Sequence, residues 1–282
     1  GFFSTVVRLR KVLAEYHVET QVSFLPHVNI IAILASLGSA RRVVVSERND
    51  MTRQALSRQW RALRYVLYRV ADLVTVNYRK NIKILGQFVP AGRIRWLPNP
   101  VDVAAYTRIN RCPSRRILAV GRLTRQKGFD ILIQAFELTE CKDKGWTLEI
   151  IGKGTEETEL RRMISGAGLM AQITMKESSK RISEDLARTE MLVVPSRYEG
   201  LPNILIEGMA CGIPPIVTDG VGDLVMDLSL ISKEIIVPVG SSNALARAID
   251  HLALSSSERQ RVGREAIKIT KPYELDRAMR LW

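Results

Sequence analysis

The stretch Arg116-Ile-Leu-Ala-Val-Gly-Arg-Leu-Thr-Arg-Gln-Lys-Gly-Phe-Asp130 decides the fold. Its first five residues read as a strand, four of them apolar (Ile117 to Val120), and apolar residues recur at helical spacing from Phe129 to Leu138. Between them lies a loop that holds Gly121 and Gly128. A strand that passes through a glycine-bearing loop into a helix is the building unit of a parallel α/β sheet. The same alternation extends downstream. Strands are expected at 146–151, 173–175, 191–194, 215–217 and 235–237. Helices are expected at 156–165, 182–188, 203–210, 243–252, 257–269 and 272–282. Upstream, strands at 21–25, 42–46, 73–76 and 94–97 alternate with helices at 9–15, 28–37 and 54–70. Pro98-Asn99-Pro100 and the polar stretch 101–114 interrupt the alternation. The reading is therefore two doubly wound, Rossmann-like units in tandem. Residues 1–104 form the first and 105–268 the second, with the helix at 269–282 expected to cross back to the first. Ligands of such sheets bind beyond the carboxyl ends of the strands, so the residues just after strands carry the information.

Composition sets the outer limits. The 282 residues are 46% hydrophobic and 25% charged, an ordinary globular balance that excludes disorder, collagen and a small disulfide scaffold. Cys112, Cys141 and Cys211 are odd in number and far apart, which suits a reducing compartment rather than a disulfide or metal framework. The net charge of +13 is uneven: residues 1–104 hold 16 basic and 6 acidic side chains. An anionic partner is expected there. Residues 20–40 carry no charged side chain, yet Pro26, His27, Asn29 and Gly38 interrupt them. A strand, a turn and a buried helix explain that stretch better than a membrane span.

Two constellations carry chemistry. In Val120–Asp130 the glycines permit a tight loop, and helix amides at its end favour an anion. Arg122 and Lys127 add two cations, as a diphosphate requires; the bland alternative is a solvated basic turn. The second is Pro195-Ser-Arg-Tyr-Glu-Gly-Leu-Pro-Asn-Ile-Leu-Ile-Glu-Gly-Met-Ala-Cys-Gly212. Glu199 lies in a loop after a strand, and Pro202 reads as the first helical residue. Glu207 lies more than one turn into that helix. Gly200, Leu201, Asn203 and Ile204 offer amides near its start. The two carboxylates can face one crevice and accept hydrogen bonds from sugar hydroxyls. Taken alone, they also fit a surface loop and an exposed helical Glu.

Together these segments, with Leu-Glu-Ile-Ile-Gly-Lys-Gly at 148–154 and Leu-Pro-Asn-Pro-Val-Asp at 97–102, resemble the retaining, family-four glycosyltransferases of the GT-B fold. The motifs run in order through 97–220. The resemblance implies two Rossmann-like domains facing across a cleft, with the first incomplete here. It implies transfer of a sugar from a nucleotide-sugar, uridine-linked, to a lipid-linked or polysaccharide acceptor with retained configuration. Arg122 and Lys127 would neutralise the diphosphate, Glu207 would bind the ribose, and Glu199 would hold the donor sugar. Gly121, Gly200, Leu201, Pro202, Asn203 and Ile204 would complete the donor site. The base would lie near 176–181, where this sequence departs from the family's glycine-containing pattern. No Asp-x-Asp occurs, so no cofactor and no essential metal are expected.

On the acceptor side, His27 follows a strand and is either a group near the reacting sugar or a packed, capping histidine. Glu47, Arg48 and Asn49 follow another strand and suggest acceptor or interdomain contacts. Asn99, between two prolines, either contacts substrate or shapes the turn. Arg53, Arg58, Arg61, Arg64 and Arg69 interleave with Trp60, Leu63, Leu67 and Tyr68 along 53–70. This pattern suits an anionic membrane surface at the inner face of the cell membrane, or else a solvated helix face. No nucleic-acid reader motif is present. The chain opens on Gly1, without the strand and glycine-rich loop that begin such enzymes. The expectation is an N-terminally truncated member, with an inactive nucleotide binder or a sugar-nucleotide epimerase as alternatives.

Overall fold

The computed structural model describes residues 1–177 and 181–281. Contacts divide the chain into two units, Gly1–Pro98 and Asn99–Trp282.

The first unit runs α1 (Phe2–Glu15), β1 (Thr20–Phe24), α2 (Pro26–Ser36), β2 (Arg42–Glu47), α3 (Arg58–Leu67), β3 (Leu73–Val76), α4 (Lys80–Leu85) and β4 (Ile94–Trp96). All pairings are parallel, and the order is β1-β2-β3-β4. Its described strands follow chain order without reversal. Ile30, Ile33, Val43, Val45, Val74, Val76 and Leu85 form its core. At β1 only alternate residues are buried, as expected at an edge. The uncharged stretch 20–40 is strand, turn and an eleven-residue helix. No described helix is long and apolar enough to cross a membrane.

The second unit runs α5 (Val103–Thr107), β5 (Arg116–Val120), α6 (Phe129–Leu138), β6 (Thr147–Ile151), α7 (Glu157–Gly166), β7 (Ile173–Lys176), α8 (Ile182–Ala187), β8 (Met191–Val194), α9 (Asn203–Ala210), β9 (Pro215–Thr218), α10 (Leu224–Ser229), β10 (Ile236–Val237), α11 (Ser242–Leu254), α12 (Ser256–Thr270) and α13 (Leu275–Met279). Its sheet is parallel, in the order β10-β9-β8-β5-β6-β7. Every residue of β8 and β9 is buried, the signature of a sheet covered on both faces. The order reverses between β5 and β8, and a crevice opens beyond the carboxyl ends of the strands at such a switch point. The loops that leave those two strands are the two motif segments.

Several boundaries differ from expectation for local reasons. The units part between Pro98 and Asn99 rather than after 104. Asn99 already bonds within the second unit, and Val101 N–H donates to the Tyr273 carbonyl at 2.9 Å. The second contact also places the segment after 269 in the second unit. The helix expected from 54 begins at Arg58, because the Ser57 side chain caps it by accepting from Trp60 N–H. The irregular stretch after 101 holds α5, whose start Asp102 caps by accepting from Ala105 N–H at 3.0 Å. Pro202 is not the first helical residue but the cap before it, with ψ 118°.

Candidate functional site

A cavity of about 410 Å³ lies at the switch point, lined by Gly121, Arg122, Ile151, Gly152, Ile204 and Glu207 among others. Arg122 is exposed at the end of β5, whereas Glu207 is half-buried within α9. Burial raises the Glu207 carboxyl above its usual range, and a hydrogen bond from Tyr106 O–H counters this in part. The same burial, with Glu207 nearby, pushes the Tyr106 phenol up to about 12.

The two motif loops are joined to each other. Arg197 grips Asp130 with both guanidinium nitrogens, at 2.8 and 2.6 Å, and also donates to the Arg125 carbonyl at 2.7 Å. This bidentate pair holds the Asp130 carboxyl below its ordinary range, against the opposing effect of its burial. Arg197 N–H donates to the Gln126 carbonyl at 2.7 Å, and Gln126 Nε2 donates to the Tyr198 carbonyl at 3.0 Å. Gly128 has φ +69°, and a Cβ there would collide with the Pro195 carbonyl. Close approach of the loops therefore requires that glycine.

Lys127 Nζ donates to Glu199 Oε1, and Ser196 O–H donates to the same oxygen at 3.1 Å. The Lys127 stem packs against Gly121, where an added Cβ would lie 3.0 Å from Lys127 Cε. The structure thus brings Arg122 and Glu207 to one cavity and joins Lys127 to Glu199 beside it. Leu201 and Pro202 are buried and Asn203 is exposed at the start of α9. Gly200 approaches Gly222 so closely that a Cβ at 222 would strike its carbonyl. Asn99 Nδ2 donates to Asn203 Oδ1 at 2.7 Å and to the Leu201 carbonyl at 3.3 Å, so it shapes this loop. Of the expected base segment 176–181, residues 178–180 lie outside the described residues; Ile182 lines the cavity. No group of three His, Cys, Asp or Glu suited to a metal occurs among the described residues.

The first unit places its candidates differently. His27 is exposed in the first turn of α2, its ring edge-on to Trp60 at 4.3 Å. Glu47, expected at a contact surface, is instead fully buried and accepts from Tyr68 O–H at 2.6 Å. Arg48 donates to the Leu97 carbonyl at 3.1 Å, and burial lowers its guanidinium to about 10. Asn49 is half-buried and accepts at its carbonyl from Asn81 Nδ2 at 2.8 Å. Of the five arginines in 53–70, four are exposed, but Arg64 points inward. Sequence reasoning passed over Tyr106, Gln126, Ser196 and the Arg197–Asp130 pair. Tyr106 had a signal, since Val103 and Tyr106 stand at helical spacing after the capping Asp102.

The family pattern described as glycosyl transferases group 1 matches residues 111–269. The chain belongs to this family. It is 28% identical over 237 residues to the amylovoran biosynthesis glycosyltransferase AmsD of Erwinia amylovora, covering 79% of this chain and 64% of that one. It is 24% identical to a Campylobacter jejuni alpha-1,4-N-acetyl-D-galactosaminyltransferase named for a diphospho-undecaprenol-linked substrate, covering 99% of this chain and 77% of that one. The chain spans 60 to 64% of the length of several curated relatives it matches. Among solved structures, Anabaena HepE in complex with UDP and glucose superposes with a TM-score of 0.84 at 18% identity, covering 98% of this chain and 79% of that one. The fold is GT-B, with two Rossmann-like domains.

Proposed function

We propose that this chain serves transfer of a sugar from a uridine diphosphate-sugar to a lipid-linked or glycan acceptor, with retention of anomeric configuration. The observation that carries the reading is the cavity at the switch point, lined by a cation on one loop and a carboxylate on the facing helix. The UDP held by HepE and the diphospho-undecaprenol named for the Campylobacter relative support the donor and acceptor classes.

Charge gives the mechanism. As the anomeric carbon–oxygen bond breaks, its electron pair passes to the departing diphosphate and positive charge grows on the sugar. Arg122, Lys127 and the amides at the start of α9 stabilise the departing anion most strongly as the bond breaks. The acceptor oxygen bonds on the face the diphosphate leaves, and its proton ends on the diphosphate. Lys127 turns from Glu199 toward the diphosphate, and freed Glu199 holds donor-sugar hydroxyls rather than attacking the sugar. The Glu207 carboxylate accepts from the ribose hydroxyls. These groups supply the charge the leaving group needs, and no metal is assigned a role. His27 serves the acceptor.

A panel of nucleotide-sugars and polyprenyl-diphosphate or glycan acceptors, with products read by mass spectrometry and anomeric configuration by NMR, tests the reading. A glycosylated acceptor of retained configuration is expected. Isomerised donor without acceptor consumption identifies an epimerase, and tight nucleotide binding without turnover an inactive relative.

The exposed Arg58, Arg61 and Arg69, with Leu63, Tyr65 and Val66, support attachment to an anionic membrane at its inner face. Co-sedimentation with vesicles rich in phosphatidylglycerol is expected, and charge reversal at Arg58 and Arg61 weakens it. Equal sedimentation of the doubly reversed protein contradicts attachment through this helix.

A further inference from the structure

Trp60, Arg64 and Tyr68 stand at i, i+4 and i+8 through α3 and the short 3-10 turn that follows it, so they share one side. That side faces inward: Arg64 is 7% exposed and Tyr68 0%. Between them the three residues reach His27, Asn29 and Glu47. Trp60 meets the His27 ring edge-on, with the planes at 81°. Arg64 Nη1 stands 3.8 Å from Glu47 Oε1. Tyr68 O–H donates to that same oxygen and accepts from Asn29 Nδ2 at 2.9 Å. Asn29 donates to the Ser46 carbonyl at 3.0 Å and accepts from Ser23 O–H at 2.8 Å. Asn29 lies two residues after His27 in α2, and Ser46 begins the polar segment 46–49.

This arrangement costs stability. Glu47 Oε2 is buried without a hydrogen-bond partner, and burial raises both the Glu47 carboxyl and the Tyr68 phenol. Apolar side chains of similar size commonly pack as well or better in such places. Leu25, just before α2, has φ +77°, a left-handed conformation that is costly for leucine. A buried polar network and a strained turn beside one exposed histidine point to a constraint on geometry.

We propose that Trp60, Arg64 and Tyr68 are positioning residues that hold His27, through Asn29 and Glu47, in the orientation sugar transfer requires. The proposal deepens the function proposed above and rests on it. Trp60 sets the plane of the His27 ring. The Asn29–Tyr68–Glu47 chain fixes the helical turn that carries His27 and the loop that begins at Ser46, and Arg64 faces the Glu47 charge. None of the three touches substrate.

The test compares Tyr68→Phe, Trp60→Leu and Trp60→Phe in the full chain. Tyr68→Phe removes only the hydroxyl that joins Asn29 to Glu47, and Trp60→Phe retains an aromatic edge. Two quantities are read: the His27 ring resonances by NMR, assigned with His27→Gln, and kcat against donor affinity. Tyr68→Phe and Trp60→Leu are expected to shift the His27 resonances and lower kcat on the order of 10- to 100-fold, with donor affinity unchanged. Trp60→Phe recovers most of that loss. Unmoved resonances in Tyr68→Phe and Trp60→Leu overturn the proposal, as does an unchanged kcat when the resonances shift. A wild-type chain that neither binds donor nor transfers sugar refutes the functional reading instead. The resonances then decide by themselves whether this helix face holds His27.

Discussion

The loop pair of the second unit and the loop cluster of the first solve opposite problems. Around residues 121–128 and 195–203, charged groups remain accessible: Arg122 is exposed, Glu207 is half-buried, and Lys127 pairs with a carboxylate beside the cavity. The loops themselves are clamped by one bidentate ion pair and by backbone contacts. Around 25–29 and 46–50, a carboxylate, an arginine and a tyrosine are closed off from solvent, and His27 is left exposed. The first arrangement suits a site that must meet an anion. The second suits a site that must hold one group in a fixed direction. Exposed charges exchange partners readily, whereas a buried hydrogen-bonded chain resists rearrangement.

The largest effect is expected at the charges beside the cavity. Lys127→Ala should lower the rate of sugar transfer on the order of 10²–10³-fold, because it removes a contact made most strongly with the departing diphosphate, and should lower the melting temperature as well, because Glu199 loses its partner in a pair only 15% and 12% exposed. Steady-state kinetics beside a melting curve checks this. A lower melting temperature with an unchanged rate would make the second site as structural as the first.

A smaller effect is expected at the clamp. Asp130→Ala leaves Arg197 without its bidentate partner, and the pair is 23% and 31% exposed. Partial exposure limits the cost to about 1–2 kcal/mol. Urea unfolding should show it as a lower midpoint with an unchanged slope.

The smallest effect separates the buried carboxyl from the exposed ones. The folded Glu47 carboxyl is raised above its ordinary 4.5 by burial. Its contribution to stability is therefore complete below that value and is lost as pH rises through the folded value. Glu47→Gln should remove this dependence, so that wild type loses stability relative to the variant as pH rises from 4.5 to 7. Urea titrations across that range read the difference. A constant difference would show that Tyr68 and Arg64 offset the burial of the charge completely.

The two regions also differ in how far they can be read without coordinates. The residues around the cavity of the second unit lie in two contiguous segments, each directly after an apolar strand, so local spacing singles out Arg122, Lys127, Glu199 and Glu207, and the resemblance to a known family sets them apart from a solvated turn and an exposed helical Glu. The start of Phe129–Leu138 and the end of Asn203–Ala210 were legible for the same reason. The clamp was not. Asp130 and Arg197 are 67 residues apart, and their pairing depends on β5 and β8 being neighbours. In the first unit, Asn29, Glu47 and Tyr68 are each about twenty residues from the next, on three different elements. Hydrophobic periodicity reports that a residue faces inward but not which distant polar group it meets. Tyr68 and Arg64 therefore read as part of a basic, aromatic surface helix, although their side chains are enclosed. The order of strands within each sheet was hidden for a similar reason, because it is not encoded in the alternation of strand and helix.

The central claim is that Glu207, in the cavity at the switch point, accepts hydrogen bonds from the ribose of a nucleotide-sugar. Calorimetric titration of UDP-glucose into wild type and Glu207→Ala tests it most directly. The wild type is expected to bind, with an affinity lower by about tenfold or more in the variant, the weight of at least one charge-assisted hydrogen bond. Equal affinity for the two proteins would contradict it.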